Sequence, residues 1–127
     1  MSDHDEHHQE VIEGAKKQLE ELFEDSEQAL YLYLDDNHKA CNKKFSDLLG
    51  YSSPEEWAAV TEAFPDTFLA EASQERLVNA YKDSVEKLTA SDNEITWKKK
   101  GGGEIKTQVI LVPHLYEDHL LALHFIS

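Results

Sequence analysis

Three histidines and three carboxylates stand close together at the start of the chain. They are His4, His7 and His8 with Asp3, Asp5 and Glu6. Imidazole nitrogens and carboxylate oxygens are ligands of zinc and related metals, and His4 and His8 would share one face of a helix. No apolar residue anchors this segment, however, and such termini are usually solvated. We therefore predict a flexible acidic tail over residues 1–8 and no metal site.

Cys41 is the next residue with reactive chemistry. Because it is the single cysteine of the chain, an intramolecular disulfide is excluded. Lys39, Lys43 and Lys44 are the only sequence neighbours that would lower its pKa and so favour the thiolate. We interpret Cys41 as a small buried apolar side chain.

Catalytic constellations are absent from the sequence. There is no serine-centred elbow and no His-Glu-x-x-His motif. Adjacent acidic residues such as Asp35 and Asp36 stand in predicted turns, where short carboxylates are favoured for conformational reasons alone. The lysines at 98–100 and glycines at 101–103 lead into a strand, so they predict a hairpin and not a phosphate-binding loop, which needs a helix. We predict no enzymatic activity.

The overall charge restricts the partners of the chain. Its 127 residues fit one domain and carry a formal net charge of −14 at pH 7. Such a surface repels nucleic acids and anionic membranes. No apolar stretch reaches membrane-spanning length, and the polar N-terminus is unlike a secretory signal. We expect a cytoplasmic protein that acts through a partner protein, because this length leaves no room for an output domain.

An amphipathic helix is predicted over residues 9–26. Its apolar residues recur at spacings of three, four and three. The stripe consists of Ile12, Ala15, Leu19 and Leu22, with Phe23 beside it. Two heptads are too few for a stable coiled coil on their own. The stripe is therefore predicted either to cap the sheet of its own domain or to pair with the same helix of a second copy.

A hairpin that continues into a short helix is predicted next. Residues 29–34 form an apolar run of strand length, and the Asx residues that follow can turn the chain back. Residues 39–41 form the return strand. Asn42 is a suitable cap for a helix that stops at Gly50.

Helices and then strands are predicted for the rest of the chain. Ser53 and Pro54 suit the cap and the first position of a short helix. The remaining elements are a loop at 61–70, a helix at 71–90, and strands at 94–100, 104–112 and 119–126. The last strand is apolar on both faces, so it is predicted to lie inside the sheet, with the N-terminal stripe as the candidate cover.

This succession resembles the PAS domain family over about residues 28–127. The resemblance rests on the helix that ends in Leu-Leu-Gly-Tyr at 48–51, on Ser-Pro-Glu-Glu-Trp at 53–57, and on three closing strands. It implies an α+β fold with a five-stranded antiparallel sheet, helices across one face and a cleft between them. In many relatives a preceding helix packs on the other face and supports dimers. The PAS-like domain is assigned to residues 27–127.

The resemblance also allows the cofactor anchors of the family to be checked. The haem type similar to oxygen sensors uses a histidine of the long helix, and residues 71–90 contain none. Other haem geometries stay open through His38, His114, His119 or His124. The flavin photoreceptor type carries an Asn-Cys-Arg-Phe-like motif, which the order of residues 41 and 42 does not match. The cofactor is left undetermined.

Apolar and aromatic side chains are predicted to line the cleft. They are Phe45, Leu49, Trp57, Phe68, Val78, Tyr81 and Trp97. The resemblance then implies a non-catalytic sensing or protein-interaction module whose cleft could hold a small-molecule ligand. We also expect a signalling partner protein and a homodimer made through the N-terminal stripe. A cleft filled by its own side chains would leave an interaction domain without a ligand.

A different class of protein is the alternative. Small α+β cone-like enzymes or carriers of the nuclear-transport-factor type also place helices over a curved sheet. They usually begin with paired helices and bring an Asp/His pair into the cone. The hairpin that precedes the helices here disfavours this alternative, and a buried Asp–His pair in the cavity would favour it.

Overall fold

Helices and strands follow one another in four groups along the chain. The computed structural model describes residues 3–127. In chain order the elements are α1 (Asp3–Gln18), α2 (Glu20–Asp25), β1 (Ala29–Asp35), β2 (His38–Cys41), α3 (Lys43–Leu49), α4 (Pro54–Ala58), α5 (Phe64–Phe68), α6 (Glu71–Lys87), β3 (Ser91–Lys98), β4 (Glu104–Tyr116) and β5 (His119–Ile126). Across the described range, no helix has both the length and the apolar character needed to cross a membrane.

The strands of the described range belong to one antiparallel sheet. Their order is β2-β1-β5-β4-β3, so the last strand of the chain lies at the centre. Tyr31 of β1 faces Cys41 on β2 and His124 on β5. The N-terminal hairpin and the three closing strands therefore share a single sheet, which confirms the predicted α+β architecture.

The face of the sheet covered by α3–α6, here called the inner face, carries an aromatic core. Tyr31 and Trp97 from the sheet pack there with Phe45, Trp57 and Phe68 from the helices. These five side chains are almost entirely shielded from solvent. Burying an apolar side chain of this size stabilises the fold by about 1.5–3 kcal/mol, so this cluster fixes the helices on the sheet.

Helices α1 and α2 cover the opposite face, here called the outer face. Ile12, Ala15 and Phe23 are buried there in one cluster with Leu30 of β1 and Leu121 of β5. The N-terminal stripe thus packs on the sheet of its own domain. The central strand β5 is consequently covered on both faces, as its continuous apolar sequence predicted.

Asn42 joins the hairpin to α3 as the sequence predicted. Its Oδ1 accepts hydrogen bonds from the backbone N–H of Phe45 at 3.1 Å and of Leu30 at 3.0 Å. The first bond caps the helix, and the second ties the cap to the start of β1. Gly50 ends the helix in the left-handed conformation with φ +84°, which suits a residue without a Cβ.

The start of α1 differs from the prediction. The helix begins at Asp3, so residues 3–8 are helical instead of forming a flexible tail; Met1 and Ser2 lie outside the described residues. Acidic side chains favour a helix N-terminus through the helix dipole. The ring of His8 also contacts the sheet, through Asp35.

Four further elements differ from the prediction. Strand β3 covers Ser91–Lys98 instead of residues 94–100, because its pairing with β4 extends back to Ser91. Helix α5 lies inside the predicted loop at 61–70, where Pro65 suits a first helical turn and both terminal phenylalanines are buried. Helix α6 ends at Lys87, before Leu88 takes a left-handed φ of 54°. Strand β4 continues to Tyr116 because it pairs with β5 as far as His119.

Candidate functional site

A cavity of about 240 Å³ lies between the inner face of the sheet and helices α5 and α6. Its walls are mainly aromatic and aliphatic. They include Tyr31, Tyr33, Phe64, Val78, Tyr81 and His124. An apolar cavity with a few polar atoms is the usual form of a small-molecule site, so this cavity is the candidate site.

Tyr31 and His124 form the floor of the cavity on neighbouring strands. Their rings stack with centroids 3.8 Å apart and planes 10° from parallel. They are 1% and 2% exposed. The hydroxyl of Tyr31 is buried and has no hydrogen-bond partner among the described residues. A buried hydroxyl without a partner calls for an explanation, and a polar atom of a bound molecule or a water would supply one.

The protonation of His124 is set by its burial. Its ring is removed from water, which lowers its pKa to about 3 against the opposing effect of backbone hydrogen bonds. Its Nδ1 donates to the carbonyl oxygen of Ala122 at 3.1 Å. The ring is therefore neutral near pH 7 and acts as a flat, uncharged surface.

Two further tyrosines form the wall towards α6. The hydroxyl of Tyr33 donates to Oδ1 of Asp36 at 2.7 Å, and that of Tyr81 donates to the carbonyl of Leu34 at 3.4 Å. Their rings meet edge to face at 5.3 Å. Burial raises the pKa of both phenols, so both stay protonated, and the bond from Tyr81 to Leu34 joins α6 to the hairpin.

The structure divides the predicted cleft residues into two groups. Val78 and Tyr81 line the cavity. The other five have no exposed surface and fill the space beside it: Phe45, Leu49, Trp57, Phe68 and Trp97. The aromatic rings among them pack against one another, as those of Phe45 and Trp57 do with centroids 5.1 Å apart. These five residues therefore support the cavity without forming its walls.

Tyr31, Tyr33 and His124 are cavity residues that the sequence analysis did not select. The alternation of β1 contains a signal for the two tyrosines, because Leu30 and Leu32 face α1 whereas Tyr31 and Tyr33 face the inner helices. The position of α5 and α6 along the sheet decides which inner-face residues border a cavity, and alternation does not contain that information.

Lys39 and Cys41 of β2 are both held in structural roles. Nζ of Lys39 donates to the carbonyl oxygens of Asp36, Ala58 and Val60, and burial lowers the pKa of this amine to about 8. Burial raises the pKa of the Cys41 thiol to about 12. Cys41 is a buried apolar side chain, as predicted.

An Asp–His pair is present outside the cavity, with His38 buried and Asp35 partly exposed. Asp35 and His38 bond to each other at 2.7 Å, and neither lines the cavity between the sheet and α6. The nuclear-transport-factor alternative would need such a pair inside its cone. The geometry therefore gives that alternative no support.

Solved structures of PAS domains have a similar fold. The PAS domain of a protein from Colwellia psychrerythraea has a TM-score of 0.68 at 21% identity and covers 89% of this chain and 95% of that chain. The PAS domain of an HTR-like protein from Haloarcula marismortui has a TM-score of 0.62 at 17% identity, with coverages of 96% and 98%. A PAS domain from a two-component sensor histidine kinase has a TM-score of 0.66 at 11% identity, with coverages of 91% and 96%.

At these identities the likeness is one of fold. The chain has a PAS fold over most of its length, as the succession of sequence motifs predicted. No protein-family model matches the sequence, and no curated protein matches it significantly. What the chain binds therefore depends on the side chains of its own cavity and surfaces.

Proposed function

We propose that this chain is a non-catalytic sensing module that binds a small, mainly apolar molecule in its cavity and acts through a partner protein. The observation that carries the proposal is the buried hydroxyl of Tyr31 at the cavity floor, which lacks a partner among the described residues. Leaving a buried polar group unpaired costs roughly 1–3 kcal/mol. A ligand with one hydrogen-bonding group would recover part of that free energy.

The size and walls of the cavity favour a small flat ligand. Its volume of about 240 Å³ is below the range of about 300–1,000 Å³ typical of drug-sized sites. The ring of Tyr33 meets those of Phe64 and Tyr81 edge to face, with centroids 5.3 Å apart in each pair. Aromatic rings prefer such offset or edge contacts, so a single aromatic ring suits this site.

The protonation states at the cavity support binding without catalysis. General acid–base catalysis at neutral pH works best with groups whose pKa lies near 7. The pKa of His124 is about 3, and burial raises the pKa of Tyr31 and Tyr33. None of these three groups exchanges a proton readily near neutral pH.

Strand β1 offers a route from the cavity to the N-terminal helix. Tyr31 of this strand borders the cavity, while Leu30 and Leu32 pack against α1 on the other face. A ligand that favours one position of β1 would also favour one packing of α1, provided that its affinity differs between the two states. The sensor histidine kinase origin of one structural neighbour is consistent with this use.

We also propose that the uncovered part of the outer face forms a homodimer. Ile110 of β4 is 45% exposed and is the register partner of Phe125 on β5. Leu22 of α2 is 37% exposed. Burial of these two exposed side chains against a second copy would favour association, whereas Ile12, Ala15 and Phe23 of the predicted interface are already buried within the chain.

Phenol and benzene test the cavity, because they differ by one hydroxyl group. Phenol should bind the wild-type chain more tightly than benzene by roughly fivefold, the value of one net hydrogen bond. Tyr31→Phe should remove this difference while leaving benzene affinity unchanged. Chemical-shift titration by NMR, followed at the amides of β1 and α6, measures both affinities.

Tyr81→Phe is the matched control. It also removes one phenolic hydroxyl from the cavity wall, but that hydroxyl already bonds to the carbonyl of Leu34, so the preference for phenol should remain. Absence of any shift with both compounds at saturating concentrations would disprove the ligand site. Equal binding of both compounds to the wild-type chain would show that Tyr31 is not the anchor.

A further inference from the structure

A group of two histidines and one carboxylate joins α1 to the hairpin of the sheet. His8 lies on α1, Asp35 ends β1 and His38 begins β2. The carboxylate of Asp35 lies between the two rings, with Oδ2 2.8 Å from Nδ1 of His8 and Oδ1 2.7 Å from Nδ1 of His38. Ligand atoms of the three residues all lie within 4.8 Å of one another.

A fourth donor stands beside this group. The ring of His119, at the start of β5, has its centroid 5.5 Å from that of His8. Nδ1 of His119 donates to the carbonyl of Glu117 at 3.0 Å, which leaves Nε2 as the nitrogen that could coordinate an ion. Two parts of the fold, α1 and the β1–β2 turn, therefore supply the three close donors, and the β4–β5 turn places His119 next to His8.

We propose that His8, Asp35 and His38 bind a divalent transition-metal ion of the zinc class, with His119 as the fourth donor. Two or three imidazoles with one carboxylate form a donor set typical of zinc, whereas calcium and magnesium prefer sites built from oxygen ligands alone. The formal net charge of −14 raises the local concentration of cations around the chain.

The spacing of the donors is compatible with such an ion. Bonds of zinc to nitrogen and oxygen measure about 2.0–2.2 Å, which places tetrahedral ligands roughly 3.3–3.5 Å apart. The present contacts of 2.7 and 2.8 Å would open slightly as coordinate bonds replace the hydrogen bonds. Each imidazole would coordinate through an unprotonated nitrogen, so its proton moves to the other ring nitrogen or is released to solvent.

The surroundings hold two of the donors in place before any ion binds. His38 is 5% exposed and lies in the β-ladder opposite Asp35. Oδ1 of Asp35 also accepts a hydrogen bond from the backbone N–H of Asn37 at 3.0 Å. Contacts of this kind orient ligands and raise metal affinity. His8 belongs to a separate helix, so binding would fasten that helix to the sheet.

Without a metal, the same three residues would only link α1 to the sheet through the hydrogen bonds of Asp35, here called a hydrogen-bonded clasp. A metal titration separates the two roles. The full chain without an affinity tag, freed of metal by a chelator, should bind one Zn²⁺ in calorimetry. Co²⁺ in its place should produce the visible absorption bands of a tetrahedral site. Zn²⁺ should raise the melting temperature and slow amide exchange in α1, because an ion that binds only the folded state stabilises it.

Asp35→Asn and His38→Gln should each weaken Zn²⁺ binding by at least about tenfold, the lower bound known for groups that merely support a metal ligand. Asp35→Asn keeps the size of the side chain, so it tests the carboxylate even if His38→Gln fails to fold. His114→Gln is the matched control, because His114 bonds to Gln18 outside the cluster. Its affinity should equal that of the wild-type chain.

The double variant His4→Gln/His7→Gln distinguishes this site from the histidines of the N-terminal segment. It should keep the wild-type affinity. Wild-type affinity in Asp35→Asn and His38→Gln would assign any bound metal to that segment and overturn the proposal. Absence of binding to the wild-type chain at micromolar Zn²⁺ would leave a hydrogen-bonded clasp as the correct description.

Discussion

At the scale of single residues, His124 couples protonation to folding. Its pKa in the folded chain is about 3, whereas an unfolded histidine titrates near 6.5. Below pH 6.5 the unfolded chain therefore binds a proton that the folded chain does not, so the free energy of unfolding falls as the pH falls. This contribution is fully present above pH 6.5 and decreases steadily towards pH 3.

Urea unfolding at pH 7 and pH 5 measures this effect. His124 should account for a loss of roughly 2 kcal/mol between these two values, so His124→Gln should show a smaller pH dependence by about that amount. His114→Gln is the comparison, because burial also lowers the pKa of His114 but its ring is only half-buried. The change in pH dependence caused by His114→Gln should be smaller than that caused by His124→Gln. Equal pH dependence in His124→Gln and wild type would contradict the assignment.

The sequence identified residues with local roles better than residues of the cavity. Asn42 and Gly50 were predicted because a cap and a left-handed stop are decided by a few neighbouring residues. Tyr31 and His124 were missed because their stacking depends on the register between strands far apart in sequence. Val78 and Tyr81, which were chosen from the apolar face of one long helix, border the cavity.

At the scale of elements, Gly14 controls how closely α1 approaches the sheet. A Cβ at this position would overlap the hydroxyl of Tyr116 and lie 2.8 Å from its Cζ. Gly14→Ala should therefore destabilise the fold by about 1–3 kcal/mol through overpacking, although alanine favours a helix by about 1 kcal/mol. Hydrogen exchange of the α1 amides should become faster.

Tyr116→Leu supplies the control for this clash. It removes the ring atoms that the new methyl group would meet, so Gly14→Ala in the Tyr116→Leu background should cost much less than in the wild-type chain. A double-mutant cycle measures that coupling. Equal costs in both backgrounds would show that α1 tolerates the methyl group by another adjustment.

Some elements could be predicted from the sequence, and others could not, for a physical reason. The β1–β2 hairpin and strand β5 carry strong local patterns, and both were predicted within one or two residues. Helix α5 has five residues and no side-chain cap from its own N-cap residue, so it depends on distant contacts: packing against the aromatic core and a hydrogen bond from the backbone N–H of Phe64 to Oδ1 of Asp36 at 3.3 Å. Residues 3–8 contain no apolar residue, so the apolar stripe that predicted the rest of α1 did not extend to them.

At the scale of the whole molecule, charge and apolar surface oppose each other in self-association. Each chain carries a formal net charge of −14, so two copies repel at low ionic strength. Ile110 and Leu22 remain exposed on the outer side of the fold. The proposed dimer should therefore tighten as salt is added, because screening weakens the repulsion while burial of apolar surface continues to favour association.

Leu22→Glu/Ile110→Glu tests whether these two side chains form the contact. The added carboxylates would be buried at the interface and would increase the repulsion, so the variant should sediment as a monomer at salt concentrations where the wild-type chain dimerises. Leu88→Glu/Leu115→Glu is the matched control: it adds the same charge at two apolar residues that are each 64% exposed. Since both pairs change the net charge equally, a dimer lost only in the first variant locates the interface on the outer face. Loss in both variants would instead make net charge the cause, and a wild-type chain that stays monomeric at high salt would rule the dimer out.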